Sequence, residues 1–186
     1  MQNNKPVSIS ANPKRALFLD RDGVINKEKE ESYIFNLHEF EFYPNALQAV
    51  VHLSKLFDYI FIVTNQRGIG RGLMTTEQLS EIHDFLKNTV CDNGGKIDAI
   101  FFAPSSDKNH PDRKPNTGMA LQAQQTFSDI DFKQSIMVGN NLSDMQFGKS
   151  MQMQTVFLST TQSAFELPHP LIDLQYDSLF SFAATL

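Results

Sequence analysis

The stretch Ala16-Leu17-Phe18-Leu19-Asp20-Arg21-Asp22-Gly23 decides the fold. Four consecutive apolar residues, with no polar alternate, suit a strand covered on both faces, the kind found inside a parallel sheet. The run stops on two carboxylates and a glycine. Parallel sheets bind ligands outside the carboxyl ends of their strands, so polar residues at such an end are candidate site residues.

The pattern recurs. Tyr59-Ile60-Phe61-Ile62-Val63 stops at Thr64-Asn65-Gln66, and Ser135-Ile136-Met137-Val138 stops at Gly139-Asn140-Asn141, with Asp144 close behind. Residues 97–103 and 155–158 read as two further strands. Between them lie helical spacings. One starts near Pro44 with Ala46, Leu47, Val50, Val51, Leu53 and Leu56. A second is capped by Thr75 or Thr76, carries Leu79, Ile82, Phe85, Leu86 and Val90 on its inner face, and is closed by Gly94-Gly95. Helices are also expected over 118–127 and 142–150, and a short one rich in Phe and Leu in the tail after Leu171. Residues 24–43 read as a loop or small flap, and 104–117 as a Pro-rich loop held by its prolines and by Phe101 and Phe102 packing beneath it. Strands alternating with helices specify an α/β fold with a central parallel sheet. Residues 1–13 read as a flexible lead-in and 14–186 as one domain.

Composition sets outer bounds. Hydrophobic residues make up 41% and charged residues 20%, an ordinary globular balance that leaves enough apolar material for a core. A formal net charge of -5 argues against a general nucleic-acid binder, which usually carries a basic surface. Cys91 is the single cysteine, so no intramolecular disulfide and no multi-cysteine zinc site can form within one chain; it reads as a small apolar residue at a helix end. Residues 1–14 lack the apolar stretch of a signal peptide, and no apolar run approaches membrane-spanning length. The expectation is a cytoplasmic protein with no membrane contact.

The polar clusters have a common chemistry. Asp20 and Asp22 repel unless a cation or a proton intervenes, and Mg²⁺, which takes carboxylates together with phosphate and water, would relieve that repulsion. One carboxylate can then attack phosphorus while the other handles the leaving-group proton. Thr64 and Asn65 offer a hydroxyl, an amide and backbone N–H groups to a phosphoryl oxygen. Lys114 offers a point charge near the start of a helix, which also favours phosphate. Asn140 and Asp144 offer further oxygen ligands. Each cluster taken alone also fits a plain strand-to-helix turn or a solvated surface. Their order along the chain is what separates the readings.

In that order, Asp20-Arg21-Asp22-Gly23, Thr64-Asn65-Gln66, Arg113-Lys114-Pro115 and Gly139 through Asp144 resemble the four motifs of the haloacid dehalogenase (HAD) superfamily. The flanking text, Phe18 to Asn26, Thr64 to Gly72 and Met137 to Met145, is similar to the branch holding D-glycero-D-manno-heptose 1,7-bisphosphate phosphatases and histidinol-phosphatase domains. The likeness runs from about residue 15 to 160. It implies a Rossmann-like HAD fold in which Asp20 becomes an aspartyl-phosphate and Asp22 is acid and then base. Thr64 and Lys114 hold the transferred phosphoryl group. Asp20, the backbone carbonyl of Asp22 and the Asn140–Asp144 segment bind Mg²⁺, and Arg113 meets a second anionic group. The length leaves no room for a large cap domain, so loops would set specificity for a small phosphorylated substrate, a sugar phosphate first of all, in a monomeric enzyme.

Two departures from the branch stand out. Many members carry a zinc loop of three Cys and one His before the Arg-Lys-Pro motif; here the Cys positions hold Ala103, His110 and Asp112, and the His position Ser105. No structural zinc is expected. The first carboxylate of the fourth motif is Asn140 here, which brings no charge to a metal. Rival readings are a histidinol-phosphatase, a polynucleotide 3'-phosphatase on the strength of Gly68-Ile69-Gly70-Arg71-Gly72 and Arg113-Lys114-Pro115, and a phosphate-binding pseudophosphatase on the strength of Asn140.

Overall fold

The computed structural model describes residues 13–29 and 32–186. All of the expected lead-in except Pro13 lies outside the described residues. Six parallel strands form one sheet in the order β3-β2-β1-β4-β5-β6: β1 Ala16–Leu19, β2 Tyr59–Asn65, β3 Ala99–Ala103, β4 Ile136–Gly139, β5 Gln154–Leu158 and β6 Leu174–Tyr176. The chain runs outward from β1 through β2 to β3, then crosses back and runs outward on the other side from β4. The reversal beside β1 opens a crevice at the carboxyl ends of β1, β2 and β4.

The continuous apolar reading of β1 follows from its two covered faces. Leu17 and Leu19 join a core with Ile60, Ile62, Val138 and Val156, roofed by α1 Ala46–Leu53, α3 Thr76–Asp92 and α6 Leu179–Ala183. Ala16 and Phe18 join a second core with Phe61, Val63 and Met137 under α4 Gly118–Thr126 and α5 Leu142–Ser150. Phe18 is fully buried, with its ring centroid 5.2 Å from that of Phe61 and 6.4 Å from that of Phe147. Cutting it to Ala should cost about 3–5 kcal/mol.

Local differences from the sequence reading have physical causes. The third strand starts at Ala99, two residues late. Asp98 Oδ2 accepts the Ile60 N–H at 2.8 Å, so a side chain takes a bond that a strand carbonyl would otherwise take. Strand β6 was not expected. It has three residues at the sheet edge, Leu174-Gln175-Tyr176, with no apolar run to announce it. A single helical turn, α2 Arg67–Gly70, follows β2. Thr75 caps α3 with a reciprocal Gln78 bond, as its position suggested. Phe85 was expected on the inner face of α3, but it is 40% exposed and packs edge-on against Phe40 of the flap, 5.7 Å away. Cys91 lies exposed near the end of the same helix.

Phe101 and Phe102 do not lie together under the 104–117 loop. Successive strand residues face opposite ways, and Phe101 meets Phe61 while Phe102 meets His83. The loop is held by hydrogen bonds instead: Arg113 Nη1 donates to the Ser106 carbonyl at 2.6 Å, and Asn116 Nδ2 donates to the His110 carbonyl at 2.9 Å. The described part of 20–45 holds only a short helical turn at Leu37–Glu39 and isolated bridges, so no separate cap domain is present among the described residues. Among them, too, no helix is long and apolar enough to cross a membrane.

Candidate active site

The crevice at the strand ends is a cavity of about 680 Å³, within the size range of small-molecule sites. Of the eight residues singled out from the sequence, seven line it: Asp20, Asp22, Thr64, Asn65, Arg113, Lys114 and Asp144. Asn140 is the exception. It is fully buried against the Gly23 turn behind the lining.

Asp20 follows the last residue of β1, and its N–H donates to the Val138 carbonyl, which continues the sheet pairing by one residue. Its Oδ1 accepts the Arg21 backbone N–H at 2.8 Å and lies 3.0 Å from Lys114 Nζ. Among the described residues Oδ2 accepts no hydrogen bond, and so it is the oxygen free to attack. Burial pushes the Asp20 carboxyl up to about 7, with Lys114 opposing and Asp144 and Asp22 reinforcing the rise.

Lys114 is itself buried. Its ammonium is 2.7 Å from Asp144 Oδ1 as well as 3.0 Å from Asp20 Oδ1. The two carboxylates engage two of the three ammonium donors, which leaves at least one without a partner among the described residues. Burial pushes the ammonium down, but Asp144 and Asp20 outweigh it and hold the pKa above its ordinary value. A buried cation with unspent donors marks a place for an anionic oxygen. A residue at 139 other than glycine would not fit, because a Cβ there would meet the Asp144 side chain at 2.3 Å.

Asp22 has the opposite environment to Asp20. Burial pushes its carboxyl up, but Arg21, Asn26 and Gln66 together pull it below the ordinary carboxylate range. Arg21 Nη2 donates to both oxygens at 2.9 Å, Asn26 Nδ2 to Oδ1 at 2.9 Å, and Gln66 Nε2 to Oδ2 at 2.9 Å. Gln66 Nε2 also donates to Thr64 Oγ1 at 2.9 Å. That bond uses the acceptor side of the Thr64 hydroxyl and leaves its O–H free to donate to a ligand. The Asn65 side chain is committed elsewhere. Its Oδ1 accepts the Lys114 N–H at 3.0 Å and its Nδ2 donates to the Lys114 carbonyl at 3.1 Å. It splints the lysine segment, and its amide is not free for a phosphate as the sequence reading allowed.

The sequence reading passed over Arg21, Asn26 and Gln66, although each stands inside a quoted motif. A basic or amide residue beside a reactive carboxylate looks like any polar turn residue until its burial is known. Thr160 and Thr161 were also missed. Thr160 Oγ1 donates to the Gly23 carbonyl, and Asn140 Nδ2 donates to Thr161 Oγ1 at 2.7 Å and Glu28 Oε2 at 3.3 Å. These bonds tie the loops after β1, β4 and β5 together.

The residues present fit a hard divalent cation. Asp20 and Asp144 are buried carboxylates that, among the described residues, share a single cation, Lys114. Among the described residues no three acidic, His or Cys side chains converge tightly enough to hold an ion by themselves. Mg²⁺ keeps waters and takes substrate phosphate into its shell, so one or two carboxylates can hold it.

The outer cavity is basic. Lys29, Arg67, Arg71, Lys108 and Arg113 line it, and with Lys114 they make six cations against the four carboxylates Asp20, Asp22, Glu28 and Asp144 among the described lining residues. Burial lowers the Arg113 pKa first, and repulsion from Arg67 and Arg71 lowers it further. Arg113 thus stands close enough to Arg67 and Arg71 to feel their charge, which makes the rim a candidate anion site in a chain of net charge -5.

Comparison with known proteins agrees with this geometry. Residues 16–169 match the family model described as polynucleotide kinase 3 phosphatase. A D-glycero-alpha-D-manno-heptose-1,7-bisphosphate 7-phosphatase from Burkholderia mallei is 36% identical over 163 residues, covering 81% of this chain and 82% of that protein. One of the same name from Campylobacter jejuni is 38% identical over 144 residues, covering 77% and 81%. A D-glycero-beta-D-manno-heptose-1,7-bisphosphate 7-phosphatase from Photorhabdus laumondii is 34% identical over 158 residues, covering 78% and 80%. The solved D,D-heptose 1,7-bisphosphate phosphatase from B. bronchiseptica, complexed with magnesium and phosphate, superposes with a TM-score of 0.80 at 28% identity, covering 92% of this chain and 97% of that one.

Proposed function

The chain belongs to the polynucleotide kinase 3 phosphatase family and is a HAD-type phosphatase, and from that premise we propose that it removes the 7-phosphate of a D-glycero-D-manno-heptose 1,7-bisphosphate. The observation that carries this reading is the two-part cavity, a buried carboxylate–lysine floor for one phosphoryl group and an arginine-lined rim for another. Relatives named for the alpha and for the beta anomer match almost equally well, so the proposal is made for the heptose bisphosphate and not for one anomer.

In this mechanism Asp20 Oδ2 attacks phosphorus while the Lys114 ammonium and the Thr64 hydroxyl meet the equatorial oxygens. Asp22, ionised in the substrate-free site, takes the proton that Asp20 sheds as the anionic substrate binds, and delivers it to the departing sugar oxygen. As a carboxylate it then takes a proton from the water that splits the aspartyl-phosphate. Arg21, Gln66 and Asn26 keep Asp22 oriented between the two steps. Mg²⁺ would be held by Asp20, the Asp22 backbone carbonyl, Asp144 and Asn140 Oδ1, where it would neutralise charge on the transferred group. Among the described residues Asn140 Oδ1 accepts a single long bond, 3.3 Å from Asn141 Nδ2, so it can turn to a cation. Arg113, Arg67 and Arg71 would bind the phosphate that is not cleaved. The absence of thiolates near Ala103–Asp112 supports a loop without zinc, and an exposed free Cys91 fits a reducing compartment such as the cytoplasm.

A panel of heptose 1,7-bisphosphate, other sugar phosphates, histidinol phosphate and a 3'-phosphorylated oligonucleotide, assayed with Mg²⁺, tests the proposal. The heptose bisphosphate should give the highest kcat/KM. Preference for histidinol phosphate or the oligonucleotide would overturn the substrate, and failure to hydrolyse even 4-nitrophenyl phosphate would favour a pseudophosphatase.

A further inference from the structure

Arg21 is among the largest side chains with no solvent exposure, yet it lies beside the reacting groups. A buried guanidinium is costly unless its N–H groups are met. One edge of it is accounted for by Asp22, through Nε at 3.1 Å and Nη2 at 2.9 Å. On the other side, Nη1 lies 3.1 Å from Nε2 of His83 on α3. Arginine can only donate, so Nε2 accepts, and the ring is neutral with its proton on Nδ1. Burial and then Arg21 push the His83 pKa down to about 3, against a small opposing effect of Asp22, which keeps that acceptor available at any working pH. The His83 ring is 8% exposed and packs edge-on against Phe102 at 5.9 Å, so it is itself held. None of the residues lining the cavity comes from α3.

We infer that His83 is a positioning residue: by accepting from Arg21 Nη1 it fixes the guanidinium plane, and that plane fixes where the Asp22 carboxylate stands to exchange its proton with the substrate. The link runs from a helix outside the cavity, through a buried arginine, to the acid/base group. Losing the acceptor lets Arg21 rotate toward some other partner, and Asp22 moves with it. The inference rests on Asp22 being the acid/base group, and the test separates the two claims.

A general acid matters for a poor leaving group such as a sugar alkoxide and little for 4-nitrophenolate, which departs unprotonated. In His83→Leu, kcat/KM for heptose 1,7-bisphosphate should fall about tenfold or more, while kcat/KM for 4-nitrophenyl phosphate stays within about twofold, each measured at saturating Mg²⁺. His83→Gln, which offers a carbonyl oxygen in place of Nε2, should recover most of the loss. Asp22→Asn must show the same split, and more strongly; if it shows none, the assignment of Asp22 fails. If Asp22→Asn shows the split and His83→Leu does not, the inference about His83 fails. Equal losses on both substrates, or no recovery in His83→Gln, would also sink it. His83→Asn, one methylene shorter, stands in if the leucine variant does not fold, and loss of fold in both would assign the residue a purely structural role.

Discussion

The floor and the rim of the cavity are built on different terms. On the floor, Asp20, Thr64, Lys114 and Asp144 are each at most 8% exposed and are fixed by contacts to other buried groups; Asp20, Thr64 and Asp144 sit at strand ends or the first turn of a helix, and Lys114 on the loop before α4. On the rim, Arg71 and Lys108 are exposed and Arg67 and Arg113 half-buried, carried by one helical turn and a Pro-rich loop. The contrast separates two jobs. Floor groups store electrostatic energy in a place that water does not screen, and that makes them strong in catalysis and expensive to fold. Rim groups meet solvent, contribute little to folding, and can change with the substrate at small cost.

The largest expected effect tests the floor. Asp20→Asn should lower turnover more than about a thousandfold, because an amide is a very poor nucleophile. It should also stabilise the metal-free protein. The Asp20 carboxyl sits near pKa 7 in the fold against an ordinary 3.8. The folded state therefore holds the proton more tightly than the unfolded chain, and this group's contribution to stability falls as pH rises from about 4 to about 7. Removing the charge should restore a few kcal/mol at pH 8 without Mg²⁺ and almost nothing at pH 4. Thermal melts of wild type and Asp20→Asn at both pH values check this, and an unstable variant at pH 8 would contradict the raised pKa. Mg²⁺ should raise the Tm of wild type at pH 8 more than that of the variant.

Asp22→Asn comes next, with a loss of about a hundred- to ten-thousandfold on sugar phosphates. Here the sign of the stability effect reverses. The Asp22 pKa lies below its ordinary value, so its charge stabilises the fold above the unfolded pKa, and that contribution is lost as pH falls through the folded pKa. Asp22→Asn should destabilise at neutral pH while Asp20→Asn stabilises. Two carboxylates two residues apart, with opposite effects on melting, would be direct evidence that environment and not residue type sets their proton affinities. Melts moving in the same direction would argue against the division.

The floor was legible in the sequence because covered parallel strands read as unbroken apolar runs, and residues just after such runs have to lie at the ligand edge. That placed Asp20, Thr64 and Asp144 from spacing alone. Lys114 was singled out by its charge near a helix start, and Arg113 only by likeness to the family, since a loop carries no periodicity. The splinting groups were harder still. Asn65 was read as a phosphate ligand, and nothing in its local sequence says that its amide faces the Lys114 backbone across 49 residues. His83 on α3 reads as a polar residue at the edge of an apolar face, and only the buried Arg21 gives it a task. The edge strand β6 escaped notice because its partial burial leaves no apolar run.

The rim gives a smaller and more selective effect. Arg67→Ala, Arg71→Ala and Arg113→Ala should each raise KM for the heptose bisphosphate by about tenfold, roughly 1.4 kcal/mol for one partly exposed charged contact to phosphate. KM for a sugar monophosphate should change much less, and kcat should hold in every case. The bisphosphate KM should also rise with added salt, since these charges face solvent. Steady-state kinetics on the two substrates decide the matter, and equal changes on both would remove the rim from recognition of the second phosphate.

The smallest expected effect lies where floor and loops meet, at Asn140. A carboxylate there would add a negative charge beside the cation. At an effective dielectric near 20, a unit pair about 4 Å apart interacts by about 4 kcal/mol before hydration. Hydration and the neighbouring Asp20 and Asp144 take most of that away. The structure adds a second cost, because Asn140 Nδ2 donates to Thr161 and Glu28; an aspartate could keep the Thr161 bond only with its direction reversed, and would lose the other and face the Glu28 carboxylate. The net gain should be about 1 kcal/mol, roughly a fivefold fall in the Mg²⁺ concentration that gives half-maximal rate. The metal-free Asn140→Asp protein should melt below wild type, and saturating Mg²⁺ should close the gap. Asn140→Ala keeps neither the oxygen nor the donor, so it should need more Mg²⁺ and melt lower at every concentration. Three activity titrations against Mg²⁺, each with a melting curve, test all of this. Superimposable activity curves with lowered melts would make Asn140 a strut between loops and leave the cation to Asp20, Asp144 and the Asp22 carbonyl.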